Sequence, residues 1–340
     1  MADELNRREF LRRVGGGTAV MGLATALPSA ASRANTATRP GGNAALEGLT
    51  VRDLPHRKLG RTGFEVAPLS IGLAPMGHAF FTPEEYEPVV NAAIDAGITY
   101  LDIAPNYDVS EERLGPIMAR RRKEVFLVSK SHELGRDGTL RSIEGSLKRL
   151  KTDYLDLCHI HNAGEFTTEQ VIGKGGMLEG IRVAKERGLV RFIGASGHLH
   201  VPRFIPVLET GQIDVLMVAM NFVDRHIYNF EDRVLPTARK HKTAIVCMKV
   251  LGGADGGWGG YAKRRPGRLV GRFYDYAFRY ALGIPDVCTL VVGIKSLDEL
   301  KRAIRAVRAY RPLTDEEKAM LDREGKALAA AWGEHFGAAT

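Results

Sequence analysis

The chain has 340 residues, 44% hydrophobic and 26% charged, with 48 Lys and Arg against 40 Asp and Glu for a net charge of +8. That length allows one large core, either a single α/β barrel or two domains, and the composition is that of an ordinary soluble globular protein. The basic runs Arg120–Lys123 and Lys263–Arg265 have no aromatics interleaved, which speaks against a nucleic-acid partner. Cys158, Cys247 and Cys288 each sit inside an apolar run and form no CxxC pair. They read as core packing rather than a disulfide framework or a metal site.

In chain order, residues 1–34 read as a targeting segment. Asn6-Arg-Arg-Glu-Phe-Leu-Arg12 places an arginine pair ahead of Phe-Leu, and Val14–Leu27 is a Gly- and Ala-rich apolar stretch too short to span a bilayer. Ser32-Arg-Ala34 offers a cleavage site. The order resembles the twin-arginine export signal. That resemblance implies carriage of the folded protein to the periplasm by the twin-arginine machinery, with no stable membrane anchor after processing. Residues 35–55, small and polar around Pro40-Gly-Gly42, are expected to be a flexible linker. His56–Ala67 reads as a β-hairpin turning at Arg61-Thr-Gly63.

The body alternates. Apolar runs lie at Leu69–Leu73, Thr99–Asp102, Val125–Ser129, Tyr154–Ile160, Arg191–Ala195, Val215–Met220, Ala244–Met248 and Thr289–Val292. Helical stretches separate them, among them Pro83–Ala96, Leu140–Leu150, Glu231–His241 and Arg272–Leu282, with Leu297–Val307 after the last run. Continuous apolar strands between helices indicate a parallel sheet covered on both faces, and eight such units make a (β/α)8 TIM barrel, placed at residues 56–334. A C-terminal helix, Asp315–Trp332, follows Thr314 as N-cap. No GxGxxG follows an early strand, so a Rossmann fold lacks its main signal.

Three successive runs end in polar groups: Asp102, with Tyr107 on the loop beyond it, then Lys130, then His161. Parallel strands bring their C-terminal ends to one face, so these four are expected to meet. A lysine beside a phenol favours the phenolate and is expected to lower its pKa. A carboxylate would hold the lysine, and a histidine could hydrogen-bond a carbonyl oxygen. The run Tyr100–Tyr107 with Lys130 and His161 resembles the aldo-keto reductase family over roughly residues 57–330. The resemblance implies a hairpin plugging the barrel bottom and a nicotinamide cofactor. It also implies reduction of an aldehyde or ketone, with Tyr107 as acid, Lys130 and Asp102 tuning it, and His161 orienting the carbonyl.

The same resemblance implies cofactor contacts. Ser196, in Arg191–His198, would hold the carboxamide; Lys249, Leu251 and Gly252, in Cys247–Gly253, would cradle the pyrophosphate; and Gly293 precedes the adenosine site. Lys295 and Ser296 at a helix start suit a 2′-phosphate, and Glu299 an adenine contact, so NADP(H) is favoured over NAD(H). The pattern departs at Gly197, at Met217, at Met248 (where an aromatic ring normally stacks) and at Arg302 and Ala303. Gly252–Gly260 reads as a mobile flap. His132, His159, His198 and His200 read as polar-pocket histidines rather than metal ligands. Phe81, Trp258 and Tyr261 are candidate pocket walls, and loops near 78–82, 162–176 and 222–230 would set the substrate. Two other functions stay open: proton abstraction from a sugar without redox by the Tyr107/Lys130 pair, and a nucleotide-binding regulatory barrel with little turnover.

Overall fold

Eight parallel strands pair in the order the sequence supplies them and close on themselves. In this computed structural model, which describes residues 42–78, 81–257, 260 and 263–340, the barrel runs β3 (Leu69–Gly72), β4 (Tyr100–Asp102), β5 (Phe126–Ser131), β6 (Leu155–Ile160), β7 (Val190–Gly197), β8 (Val215–Ala219), β9 (Ala244–Met248) and β10 (Val287–Gly293). β10 closes on β3 with Gly72 opposite Gly293. The expected (β/α)8 fold is what forms. The preceding pair, β1 (Arg57–Lys58) and β2 (Glu65–Val66), is antiparallel, as the hairpin reading has it.

Two apolar layers follow from the strand period of two. Residues facing out join the helices in a large core. Residues facing in fill the lumen: Tyr100, Phe126, Val128, Leu157, Val215, Met217, Val246, Met248 and Val291 are all under 10% exposed and pack together. Leu59, Val66 and Phe64 of the hairpin join that cluster, with the Phe64 ring stacked 4.6 Å from Phe126. The hairpin therefore plugs the lower mouth, and the lumen is packed rather than open.

Three sequence expectations change here. The expected linker is anchored from residue 46 onward, because Leu46 and Val51 bury against the barrel helices. The Val51 N–H and Thr50 hydroxyl both donate to the Ala96 carbonyl, and Asp53 pairs with Arg308 at 2.6 Å. The helix expected at Glu231–His241 is two, Phe230–Arg233 and Leu235–Lys240, because Pro236 lacks the N–H to continue the first but suits the opening turn of the second. The barrel unit extends past residue 334: the Phe336 N–H donates to the Tyr228 hydroxyl at 2.7 Å, and the His200 and Val201 N–H groups donate to Ala338 and Ala339 carbonyls. Residues 1–34, expected to be a signal segment, the first part of the expected linker, Trp258 and Tyr261 lie outside the described residues. Among the described residues no helix is long and apolar enough to cross a membrane.

Candidate active site

The lumen pattern carries directly into the site. Asp102 follows Tyr100 by two and Lys130 follows Val128 by two, so both continue the inward-facing rows at the top of the barrel. His159 and His161 continue the row begun by Leu157. Gly194 makes room for the first of these, since a Cβ there would come within 2.2 Å of the His159 ring. Beyond β4 the chain turns through Pro105, and the Tyr107 N–H donates to the Ala104 carbonyl at 3.2 Å, which folds the tyrosine back over the barrel mouth.

All four expected residues meet. The Lys130 ammonium lies 2.8 and 2.9 Å from the two Asp102 oxygens and donates to the Ile103 carbonyl at 2.8 Å. It also lies 4.6 Å from the centre of the Tyr107 ring. The His161 ring stands edge-on to Tyr107 at 5.8 Å, and its own N–H backbone group is fixed on the Ser131 carbonyl. Asp102, Lys130 and His161 are each under 5% exposed.

Burial dominates the electrostatics. It works to strip the Lys130 proton, but Asp102 and then Tyr107 outweigh it and hold the ammonium above its ordinary pKa. Burial lifts Asp102 against the pull of the same lysine. It also keeps His161 well below the usual imidazole range, aided by Lys130, so His161 is neutral and can donate one hydrogen bond. The expectation for Tyr107 is corrected. Burial raises its pKa more than Lys130 lowers it, so the phenol keeps its proton at neutral pH. A protonated phenol is the form a proton donor needs.

A cleft opens from this group. It runs from Asp102 and Tyr107 along Met248–Leu251 to Gly293, Ile294, Lys295, Glu299 and Arg302. Its extended course, from Asp102 to Arg302, suits an elongated ligand. Five of the eight expected contacts line it: Lys249, Leu251, Gly293, Lys295 and Glu299. The other three do different things. The Ser196 hydroxyl points to the Ile160 carbonyl at 3.4 Å. Gly252 abuts Trp332, where a Cβ would sit 2.5 Å from the indole, and its φ of 72° suits glycine. Ser296 caps the helix Leu297–Arg308, its hydroxyl accepting from the Glu299 N–H at 3.2 Å.

The cations at the far end fit a phosphorylated nucleotide, although not as the sequence reading placed them. The Lys295 ammonium donates to the Arg265 carbonyl at 2.9 Å and pairs with Glu299 at 3.3 Å. Arg265 and Arg302 also line the cleft, and Arg302 lies 3.7 Å over the Tyr274 ring. Sequence reasoning noted Arg302 only as a departure. Its place three residues after Glu299, on the same helix face, was the available signal. Arg265 had none, because it sits on a loop that folds back from β9. Phe81, a candidate pocket wall, is buried beneath the Arg264 guanidinium at 4.1 Å. His132 leans on His161 and Phe166 with ring centres 5.7 and 5.0 Å apart, and pairs with Glu165 at 3.3 Å.

Comparison with known proteins agrees with this arrangement. The model of the aldo/keto reductase family matches residues 68–264. The uncharacterized oxidoreductase YqkF of Bacillus subtilis is 25% identical over 300 residues, 77% of this chain and 93% of that protein. The aldo-keto reductase yakc [NADP(+)] of Schizosaccharomyces pombe is 28% identical over 220 residues; the chain spans 62% of its length, and the match takes in 58% of this chain. A solved structure of a putative aldo-keto reductase from Pseudomonas aeruginosa superposes with a TM-score of 0.62 at 28% identity, covering 76% of this chain and 98% of that one. Fold, strand-end group and sequence match converge: the chain belongs to the aldo/keto reductase family.

Proposed function

We propose that this oxidoreductase is an NADP(H)-dependent reductase of aldehyde or ketone carbonyls, also able to oxidise the corresponding alcohol, and that it works in the periplasm after twin-arginine export. The observation that carries the catalytic reading is the meeting of Tyr107, Lys130, Asp102 and His161 at one end of the long basic-ended cleft. A bound nicotinamide would supply or accept the hydride. The chain's residues handle the proton and the oxygen. Neutral His161 donates a hydrogen bond that orients the carbonyl. The Tyr107 hydroxyl gives its proton to the oxygen as negative charge develops there. Lys130 stabilises the phenolate left behind, and Asp102 keeps Lys130 in place and charged. In the reverse direction the phenolate takes the alcohol proton.

Lys295, Arg265 and Arg302 support the 2′-phosphorylated cofactor, as does the NADP(+) in the name of the fission-yeast relative. Fluorescence titration should therefore show NADPH binding more tightly than NADH. Tyr107→Phe should cut carbonyl reduction by roughly 100- to 10,000-fold with little change in NADPH affinity. Full activity in that variant would remove Tyr107 from the mechanism. The Arg7-Arg8 pair ahead of Phe10-Leu11 supports export. Replacing both arginines by lysine should leave the protein in the cytoplasmic fraction; unchanged periplasmic recovery would sink that part of the proposal.

A further inference from the structure

The loop that leaves β9 walls the cleft, and its described part is held from both sides. The Arg268 and Leu269 N–H groups donate to the Gly253 and Leu251 carbonyls at 3.1 and 3.0 Å, and the Asp255 N–H donates to the Pro266 carbonyl at 3.0 Å. The outgoing and returning arms thus form a short ladder. Leu251, Gly253, Ala254, Arg265, Pro266 and Gly267 of this ladder line the cleft. With no side chains at positions 252 and 253, this stretch of wall is one backbone thick, so what packs behind it decides how firmly it stands.

The end of the chain packs there. The helix Asp315–Trp332 stops at Gly333, and the segment that follows turns onto the loop. A Cβ at Gly252 would sit 2.5 Å from the Trp332 indole, and one at Gly253 would sit 3.2 Å from the Phe336 ring. The Arg268 guanidinium lies 5.0 Å from the centre of the Trp332 ring. The His335 ring joins the two aromatics, 5.2 Å from Trp332 and 4.0 Å from Phe336. This segment is itself fixed to the loop after β8. The Phe336 N–H donates to the Tyr228 hydroxyl at 2.7 Å, and that hydroxyl donates to the Gly337 carbonyl at 3.1 Å. His335 Nε2 lies 3.4 Å from Asp224 Oδ1, with both side chains almost wholly buried. Asn221 continues the connection: its amide donates to Asp224 Oδ2 at 2.6 Å and to the Lys249 carbonyl, at the root of the β9 loop, at 3.0 Å. The root is therefore tied through Asn221 and Asp224, and the crest rests on Trp332 and Phe336.

We propose that Trp332 and Phe336 are positioning residues for the bound nucleotide: residues 332–337 brace the β9 loop from behind, and the brace slows release of the cofactor. This rests on the cleft being the nucleotide site of the proposed function. Neither ring lines the cleft, so both act through the backbone at Gly252 and Gly253.

The test uses the full-length protein and its W332A, F336A and W332F variants. Hydrogen–deuterium exchange on cofactor-free protein reads the brace directly. Exchange at the Arg268 and Leu269 amides should rise about 10-fold in W332A and F336A, while the amides of β4, β5 and β6 keep their wild-type rates. W332F keeps a ring against Gly252 and should stay within about 3-fold of the wild type. The second readout is NADPH release by stopped-flow displacement. Its rate should rise about 10-fold in both alanine variants and less than about 3-fold in W332F, with the association rate little changed. Unchanged exchange at Arg268 and Leu269 in both alanine variants would overturn the proposal. So would faster exchange there with NADPH release unmoved, or faster exchange throughout the barrel strands, which would give the two rings a role in general stability alone. If the wild type binds neither NADPH nor NADH, the proposed function fails and the retention role with it, yet the exchange rates still decide whether the chain end braces the loop.

Discussion

At the catalytic end of the cleft, Asp102, Lys130 and His161 project from three adjacent barrel strands and are almost wholly buried. At the nucleotide end, Arg265 and Arg302 are exposed, and Lys295 and Glu299 are half-exposed. Loop residues there are tied by pairs open to water, such as Arg264–Glu85 at 3.0 Å and Arg265–Asp255 at 2.9 Å. The first set is fixed by the strands that also hold the fold together. The second is fixed by exposed ion pairs that water and salt screen. On the proposed function, chemistry that tolerates little displacement sits on the rigid half, and recognition of a large, many-pointed ligand on the adjustable half.

Lys130→Met gives the largest effect this contrast leads to. Removing the ammonium leaves Asp102 buried without its partner, a loss of about 3–5 kcal/mol in stability at neutral pH. Activity should fall with it, since Tyr107 loses its nearest cation. The sign of the pH dependence follows from the remaining carboxyl. Burial already raises Asp102, and without Lys130 it rises further above its unfolded value. Its protonated, neutral form is therefore the one the fold accepts. The variant should be nearest wild-type stability in acid and lose stability as pH rises through the elevated value. Thermal melts from pH 5 to 8 check this; a constant deficit across that range would contradict it. Asp102→Asn added to Lys130→Met should recover much of the melting temperature and none of the activity.

The same contrast explains what was legible in the sequence. Strand ends could be read because inward and outward residues alternate, so Asp102, Lys130 and His161 follow by counting from apolar rows. The eight-stranded barrel was legible from the same apolar runs, while the plugging role of the hairpin came with the family resemblance. Loop geometry has no such period. Nothing in Ser196 or Ser296 says that one hydroxyl turns to Ile160 and the other spends itself capping a helix. Nothing in Arg265 says that the chain folds back to set it beside Lys295. The anchoring of Leu46 and Val51 was missed because two apolar residues among many small ones show no pattern until a slot exists to receive them. The net direction for Tyr107 was missed because the pull of Lys130 is visible in sequence while the depth of burial is not.

Arg302→Met probes the adjustable half and should have the smaller effect. Arg302 is exposed on the helix Leu297–Arg308, and its guanidinium rests on the Tyr274 ring at 3.7 Å, which holds it ready at the cleft edge. A phosphate there would gain charge-assisted hydrogen bonds from a fork already in position. Losing them should weaken NADPH binding about 10-fold and NADH binding less than about 2-fold, with the melting temperature unchanged. Arg302→Lys should not restore the preference, because an ammonium neither stacks on Tyr274 nor binds in a fork. Equal losses for both cofactors would mean that Arg302 serves a part of the nucleotide they share. The 2′-phosphate would then fall to Lys295 and Arg265, and Lys295 would have to leave the Arg265 carbonyl and Glu299 to reach it. In that case the nucleotide end rearranges on binding, while the Lys130–Asp102 end has no such freedom.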